Sequence, residues 1–375
     1  MIRGRRLIVA CVAISALALS GTSLRITAQS AGLPARLSDQ EFWRTIEEFS
    51  EPNGFFRSDN LVSNEDTFQY VIPELLRMVR PGGVYLGVGP DQNFTYITAL
   101  QPRMAFITDI RRGNLQTHLM YKALIELSSD RADFLSRLFA RRRAPGLEVT
   151  ARPDELFRSL AAQPPDRARY DEQLRQILDH LRRRHGFPLD EEDASGITYV
   201  YSNFFASGPA IAYSNSGGGR SRYPSYADLQ LTDDGQGVNR SYLSSEQAFS
   251  TLKTMEQNNL IVPIVGNFAG PHALRAVGAY LRASGATVSV FYTSNVEQYL
   301  FQDRLWDAFA ANVGSLPLEE SSTFIRSCFN SCSSPSGSRA VTLLDSMPGL
   351  LRDANAGRIR LYWDVLSHSR LKESR

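Results

Sequence analysis

The chain has 375 residues, of which 43% are hydrophobic and 21% are charged, and its formal net charge is +2 at pH 7. A chain of this length can bury one large core or two modest ones, and this composition excludes an intrinsically disordered protein. Acidic and basic residues are nearly equal in number, which argues against a basic face for nucleic acid. We therefore expect a globular protein with no nucleic-acid partner.

The first residues have the order of a targeting segment. A basic start over residues 1–6 precedes an apolar run over 7–20, and residues 26–28 suit cleavage before Gln29. The apolar run is shorter than the roughly twenty residues that span a bilayer. The sequence predicts a signal peptide over residues 1–28 and a periplasmic or secreted protein. The alternative is an uncleaved membrane anchor, which would be the protein's one contact with a membrane.

Residues 38–80 are predicted as an N-terminal helical cap. Ser38, with a glutamate three residues later, forms a capping box that opens a helix over 38–57. A second helix is predicted over 67–79. The loop between them, 55–69, mixes aromatic and polar side chains, a composition that fits either a ligand site or a solvated connector.

The rest of the chain, residues 81–366, is predicted as one α/β domain. Its short apolar segments are typical of buried strands. Seven of them are predicted: 84–88, 104–110, 196–205, 260–265, 286–292, 322–328 and 358–365. Helices are predicted between the first five strands, including one over 92–100, and another helix over 341–355 separates the last two. Alternating strands and helices of this kind predict a mostly parallel sheet that is doubly wound, with helices on both faces.

A glycine turn and an acid mark a candidate ligand site. Gly87 and Gly89 follow the first strand and allow a tight turn and a close approach of the backbone to a ligand. Asp109 ends the second strand about twenty residues later, the distance at which a βαβ unit brings an acid to the ribose hydroxyls of a nucleotide-like ligand. The partner predicted from this pattern is a small molecule.

Residues 129–186 are predicted as a helical insertion rich in arginine. Its arginines alternate with acidic residues, which favours a solvated face. His180 and His185 are five residues apart and would point in different directions on an α-helix, so no metal site is predicted there. Cys328 and Cys332 remain as the only cysteines after the signal segment. An even number in an exported chain predicts a disulfide between them.

The stretch from Arg80 to Leu127 resembles motif I and the following acidic position of class I S-adenosylmethionine-dependent methyltransferases. It is also similar to a family of bacterial exported proteins that share the phrase GVGP-x-QNFTYI. The methyltransferase resemblance implies a Rossmann-like fold and S-adenosylmethionine as the cofactor. In this chain the implied cofactor residues are Gly87, Gly89, Asp91, Asn93 and Asp109. Asn267 stands where amino-methyltransferases place a polar residue that orients the nucleophile, and it is the implied catalytic residue.

Two functions stay open at this point. One is an exported methyltransferase-like enzyme that transfers a methyl group from S-adenosylmethionine to an acceptor, and the other is a non-catalytic exported or envelope binding protein on a degenerate form of the same fold. Export argues against the first, because S-adenosylmethionine is made in the cytoplasm, and fold alone does not decide function. Neither paired carboxylates nor a G-x-S-x-G elbow supports a hydrolase.

Overall fold

A mostly parallel sheet of six strands forms the centre of the protein in the computed structural model, which describes residues 32–213, 223–329, 332 and 340–369. The strands are β1 (Val84–Gly87), β2 (Met104–Asp109), β3 (Ile261–Val265), β4 (Val288–Ser294), β5 (Leu318–Phe329) and β6 (Ala340–Ser346). Their order in the sheet is β3-β2-β1-β4-β5-β6, and only β6 runs antiparallel to its neighbour. The described residues form a single compact unit of mixed α/β class.

Helices precede the sheet, connect its strands and follow it. Before β1 lie α1 (Asp39–Phe49), a 3-10 turn (Phe68–Val71) and α2 (Ile72–Met78), and α3 (Gln92–Leu100) connects β1 to β2. Between β2 and β3 lie α4 (Arg112–Leu127), α5 (Arg131–Leu138), α6 (Pro153–Ala161), α7 (Arg167–Asp179), a π-helical turn (His180–Arg184), α8 (Glu191–Ser207), a 3-10 turn (Gly208–Ala210), α9 (Tyr226–Leu231) and α10 (Glu246–Gln257). The remaining helices are α11 (Ala273–Ala283), α12 (Val296–Gln302), α13 (Trp306–Gly314), α14 (Met347–Asn355) and α15 (Tyr362–His368).

The β1–α3–β2 unit matches its prediction almost residue for residue. Every residue of β1 and β2 is buried, as expected of parallel strands that are covered on both faces. The predicted capping box of α1 is also present, because Ser38 and Glu41 exchange hydrogen bonds at the start of the helix. However, α1 ends at Phe49 rather than near residue 57. Ser50 is extended, and the backbone N–H of Glu51 donates to the carbonyl of Val265 instead.

The prediction of a strand over residues 196–205 is wrong, because these residues lie inside the helix α8. The side chains of Ile197, Val200, Tyr201 and Phe204 are buried at a helical spacing, and the helix is capped by Asp190. Threonine, tyrosine and valine suggested a strand there, but this propensity depends strongly on the packing partner. The helical region between β2 and β3 is therefore longer than the predicted insertion over 129–186.

The predicted order of elements at the carboxyl end is also wrong. Residues 341–346, predicted as the start of a helix, belong to β6 and pair with β5, and the helix begins only at Met347, after the cap Ser346. Residues 358–365, predicted as the last strand, contain the start of α15 instead. Six strands rather than seven are thus found in the described part of the chain. The antiparallel strand at this edge of the sheet is β6.

Two other predictions concern the membrane and the disulfide. No helix among the described residues is long and apolar enough to cross a bilayer, and the predicted signal segment lies outside the described residues. Cys328 and Cys332 form the predicted disulfide, with their Cα atoms 5.9 Å apart.

Candidate functional site

A cleft of about 630 Å³ lies where β1, β2, β3 and β4 end. Its walls are the loop that precedes α2 and the turns that follow the four strands, with linings drawn from residues 55–65, 88–90, 108–110, 266–268 and 292–300. Small-molecule sites usually enclose about 300–1,000 Å³. The strand order reverses between β1 and β4, which is where open α/β sheets form their ligand crevices.

Gly87 and Gly89 shape the turn after β1, each for a different reason. A Cβ atom on Gly87 would overlap Oδ1 of Asn93 and come within 2.8 Å of the Tyr85 ring, so the position has no room for a side chain. Gly89 lines the cleft and has a φ of +77°, which glycine adopts without strain. Asn93 lies behind the turn, with its Nδ2 2.7–3.2 Å from the carbonyl oxygens of residues 88–90. These hydrogen bonds hold the turn in place, and Asn93 is not among the residues that line the cleft.

Asp109, the last residue of β2, lines the cleft together with Gly89. Its carboxylate accepts hydrogen bonds from the backbone N–H of Arg111, at 2.9 Å, and of Gly89. Burial raises the pKa of Asp109, and the charge of Arg111 and these hydrogen bonds limit the rise. A carboxylate has about four acceptor sites, so Asp109 can still accept hydrogen bonds from ligand hydroxyls. The structure brings Gly89 and Asp109 to one cleft, as the sequence predicts.

Asp91, also predicted as a cofactor residue, is not among the residues that line the cleft. Its Oδ2 accepts hydrogen bonds from Nε2 of Gln230 at 3.0 Å and from the hydroxyl of Tyr242 at 3.1 Å. Burial raises the pKa of Asp91 to about 7, although the hydrogen bond from Tyr242 opposes the rise. Asp91 therefore connects α3 to the helical region rather than to the cleft.

Asn267, the predicted catalytic residue, lines the cleft after β3. Its backbone N–H donates to Oε2 of Glu51 and its Oδ1 accepts from the N–H of Ala269, both at 2.9 Å. Within the described part of the chain, Nδ2 has no hydrogen-bond partner and can donate to a ligand. Because residues 196–205 are helical, Asn267 follows the third strand of the chain rather than the fourth. The strand next to β1 across the reversal is β4, and the cleft residue that follows it is Asn295.

Glu65 forms a buried polar network in the cleft wall. Its Oε1 accepts hydrogen bonds from the hydroxyl of Tyr292 at 2.8 Å and from Oγ of Ser294 at 2.5 Å, and its Oε2 accepts one from Nε2 of Gln92 at 2.9 Å. Ser294 has a φ of +52°, and such left-handed conformations in residues other than glycine cluster at functional sites. The sequence places Glu65 in the mixed polar and aromatic loop 55–69 without singling it out, and Tyr292 was missed because it has the pattern of an ordinary strand residue.

Aromatic side chains surround the cleft. Phe55 is 84% exposed, and Phe56 packs edge-on against Tyr299 with the ring centroids 5.2 Å apart. The guanidinium of Arg57 lies 5.8 Å from the centroid of the same tyrosine ring. Nearby, Oγ1 of Thr108 is buried without a hydrogen-bond partner among the described residues. Aromatic faces favour planar groups, so the exposed ring of Phe55 can stack with a planar group at the mouth of the cleft.

His180 and His185 lie away from the cleft, and the expectation that they point in different directions is wrong. Nε2 of each imidazole lies 2.6 Å from Oε2 of Glu126. The reason is the π-helical turn, in which the N–H of His185 donates to the carbonyl of His180 at 3.1 Å. A π-helical turn is wider than an α-helical one, so residues five apart return to the same side. These three residues are a candidate metal-binding group.

Together these features define an α/β protein with a cleft at the carboxyl edge of a mostly parallel sheet. Residues 60–200 and 212–342 match a family described as a domain of unknown function, DUF7790, and the chain belongs to this family. The matched residues include Asp109, Asn267 and the turn after β1. No curated protein matches the sequence.

Proposed function

We propose that the cleft binds S-adenosylmethionine and that the protein is a methyltransferase-like enzyme built on a Rossmann-like, doubly wound fold. The observation that carries this proposal is the meeting of Gly89 and Asp109 at one cleft, beside the point where the strand order reverses. The order β3-β2-β1-β4-β5 followed by an antiparallel β6 supports the fold. That the glycine turn and the acid share one cleft at the carboxyl edge of the sheet supports a nucleoside as the ligand.

The residues of the cleft fit the parts of this cofactor. Asp109 has acceptor capacity left for the two ribose hydroxyls, and Gly89, having no side chain, lets the backbone approach the ligand. The exposed ring of Phe55 and the paired rings of Phe56 and Tyr299 offer surfaces for an adenine base and for a sulfonium cation. When bound, the cofactor would supply an electrophilic methyl group.

The chain's own contribution to methyl transfer would be positioning, because this reaction depends mostly on the orientation of the acceptor. Asn267 can donate a hydrogen bond to the acceptor through Nδ2. Asn295 stands closer to the reversal in strand order, since it follows the strand that pairs with β1. We therefore assign the orientation of the acceptor to Asn267 and Asn295 together.

One observation favours a non-catalytic binding protein as the second candidate. Methyltransferases of the resembling class usually carry an acid shortly before the glycines, where this chain has Tyr85 and Leu86. The hydroxyl of Tyr85 donates to Oδ1 of Asn93 at 2.9 Å, so it braces the turn and does not reach a ligand. A protein of this kind would be exported to the periplasm and would retain the nucleoside site without transferring a methyl group.

Thermal unfolding with S-adenosylmethionine or S-adenosylhomocysteine tests the proposal. Ligand at 100 times its Kd should add about 2.7 kcal/mol to the free energy of unfolding, and the Asp109→Asn variant should lose this effect. Asp91→Asn is the matched control, because that carboxylate is only two residues from Gly89 but does not line the cleft. No shift in Tm at millimolar ligand would contradict the proposed cofactor. Binding without methyl transfer to any acceptor would favour the second candidate.

A further inference from the structure

Three side chains from two elements meet outside the cleft, where two imidazoles contact one carboxylate oxygen. Glu126 lies in α4, His180 begins the π-helical turn, and His185 directly follows this turn. Their side chains are 6%, 15% and 7% exposed. The ligand atoms, Oε2 of the glutamate and the two Nε2 atoms, all lie within 4.8 Å of one another.

A second layer of hydrogen bonds fixes the orientation of this group. Nδ1 of His185 lies 2.7 Å from Oδ1 of Asp39, which also accepts a hydrogen bond from Nδ2 of Asn259 at 2.9 Å. Lys122 donates to Oε1 of Glu126 at 2.7 Å and leaves Oε2 to the imidazoles. A carboxylate behind a histidine is the usual support of a metal-ligating imidazole, because it holds the proton on Nδ1 and directs Nε2 to the metal.

We propose that Glu126, His180 and His185 bind a divalent transition metal ion of the zinc class. Two imidazole nitrogens and one carboxylate oxygen are a common ligand set for zinc, with water as a further ligand. Metal–ligand bonds of about 2.0–2.1 Å in tetrahedral geometry need ligand atoms about 3.3 Å apart. Each nitrogen–oxygen separation would therefore widen from the present 2.6 Å. The partly exposed side of His180 offers the way in for the ion and for water.

The local charges are compatible with a divalent cation. Asp39 and Glu126 are carboxylates that contact the imidazoles, and Lys122 forms an ion pair with Glu126. The ion would replace the contacts between the two Nε2 atoms and Oε2 of Glu126, and its binding would release protons because the ligand atoms must be deprotonated. The ion would tie the π-helical turn to α4, and through Asp39 to the start of α1.

Zinc binding to the full chain, purified without a polyhistidine tag and stripped with a chelator, tests this site. Equilibrium dialysis should give one zinc ion per chain. His180→Ala, His185→Ala and Glu126→Gln should each weaken the affinity by at least about 100-fold, since each removes a ligand, and Asp39→Ala by about 10–100-fold. The control His272→Ala removes an exposed histidine at the start of α11 and should leave the affinity unchanged.

Cobalt substitution gives a readout that does not depend on the stability of the variants. The wild-type protein with Co²⁺ should show the strong visible absorption of a low-coordinate site, and His180→Ala, the variant with the most exposed side chain of the three, should lose it while its far-ultraviolet dichroism stays that of the wild type. No saturable zinc binding by the wild-type chain, or a zinc affinity of the three ligand variants equal to that of the wild type, would overturn the proposal. The group would then be a hydrogen-bonded ion-pair cluster.

Discussion

The two halves of the sheet differ in the groups that pair with their buried carboxylates. The ends of β1 to β4 leave a cleft, and the carboxylates of Asp109 and Glu65 in its walls are hydrogen-bonded by backbone N–H, hydroxyl and amide groups. At β5 and β6 the interior is filled by Arg326, which is 0% exposed. Its guanidinium lies 2.6 Å from Oε2 of Glu297 and 2.5 Å from Oδ2 of Asp345.

This difference shows how one sheet can be open at one side and closed at the other. Neutral donors satisfy a carboxylate without occupying the space in front of it, so the cleft keeps room for a ligand. A guanidinium fills the space and neutralises two carboxylates at once. Burial alone would lower the pKa of Arg326, but the charges of Glu297 and Asp345 outweigh it and raise the pKa. The buried ion pairs fill the closed half, and the cleft leaves space in the open half.

The largest expected effect is the loss of stability when the buried guanidinium of the closed half is removed. Arg326→Met should lower the free energy of unfolding by about 3–5 kcal/mol, because it leaves two buried carboxylates without their cation. Urea unfolding followed by circular dichroism measures the loss. Arg167→Met is the matched control, since Arg167 pairs with Asp171 on an exposed helix surface, and it should change little. A loss below about 1 kcal/mol for Arg326→Met would show that the two halves do not differ in this way.

The next effect concerns a carboxylate that the open half buries without a cation. The folded-state pKa of Asp91 is about 7, above its value of about 3.9 in the unfolded chain. The folded protein therefore holds this proton more tightly, and its stability should fall as the pH rises from about 4 to about 7. Asp91→Asn removes this loss and should be more stable than the wild type at pH 8 by on the order of 2–4 kcal/mol.

The measurement for Asp91 is the pH dependence of urea unfolding in both proteins. The advantage of Asp91→Asn should be small near pH 4 and largest above pH 7. An advantage that is the same at all pH values would mean that the carboxylate does not titrate in this range. The variant should still bind the nucleoside, because Gly89 and Asp109 are untouched.

Alanine should destabilise the protein at both glycines of the turn. At Gly87 the cause is steric overlap, and at Gly89 it is the backbone conformation. Gly87→Ala places a methyl group against Asn93 and Tyr85 and should cost about 1–3 kcal/mol through overpacking. Gly89→Ala meets no atom within 4 Å, but its positive φ should cost about 1–2 kcal/mol. Thermal unfolding compares the two, and equal binding of the nucleoside by Gly89→Ala and the wild type would contradict the close approach of a ligand there.

The smallest effect on stability is expected at the cleft mouth. Phe55→Ala should change the free energy of unfolding by less than about 0.5 kcal/mol, because an exposed ring loses little burial. It should weaken nucleoside binding about tenfold, which is the usual contribution of a stacking contact. Leu361→Ala, an exposed apolar residue of the closed half, is the control, and it should change neither quantity. Unchanged binding by Phe55→Ala in calorimetry would remove this ring from the proposed site.

Much of the fold around the cleft follows from local patterns in the sequence. Short runs that are apolar throughout predict β1 and β2 because both faces of these strands are covered. Ser38 predicts the start of α1 because a cap satisfies backbone groups within one turn. Gly89 and Asp109 are predicted together because parallel strands end at the same edge of the sheet. Each of these predictions depends on interactions between residues that are close in the chain or fixed by strand direction.

The tertiary structure alone decided the rest. Asn93 turns back to the carbonyls of residues 88–90, and Asp91 turns to Tyr242 in the helical region, although both directly follow the glycines. Glu65 joins the cleft through hydroxyl groups 227 and 229 residues away. The π-helical turn at residues 180–184 brings two histidines together that an α-helix would separate. Side-chain direction and long-range pairing depend on what packs nearby, and the periodicity of a single segment does not contain that information.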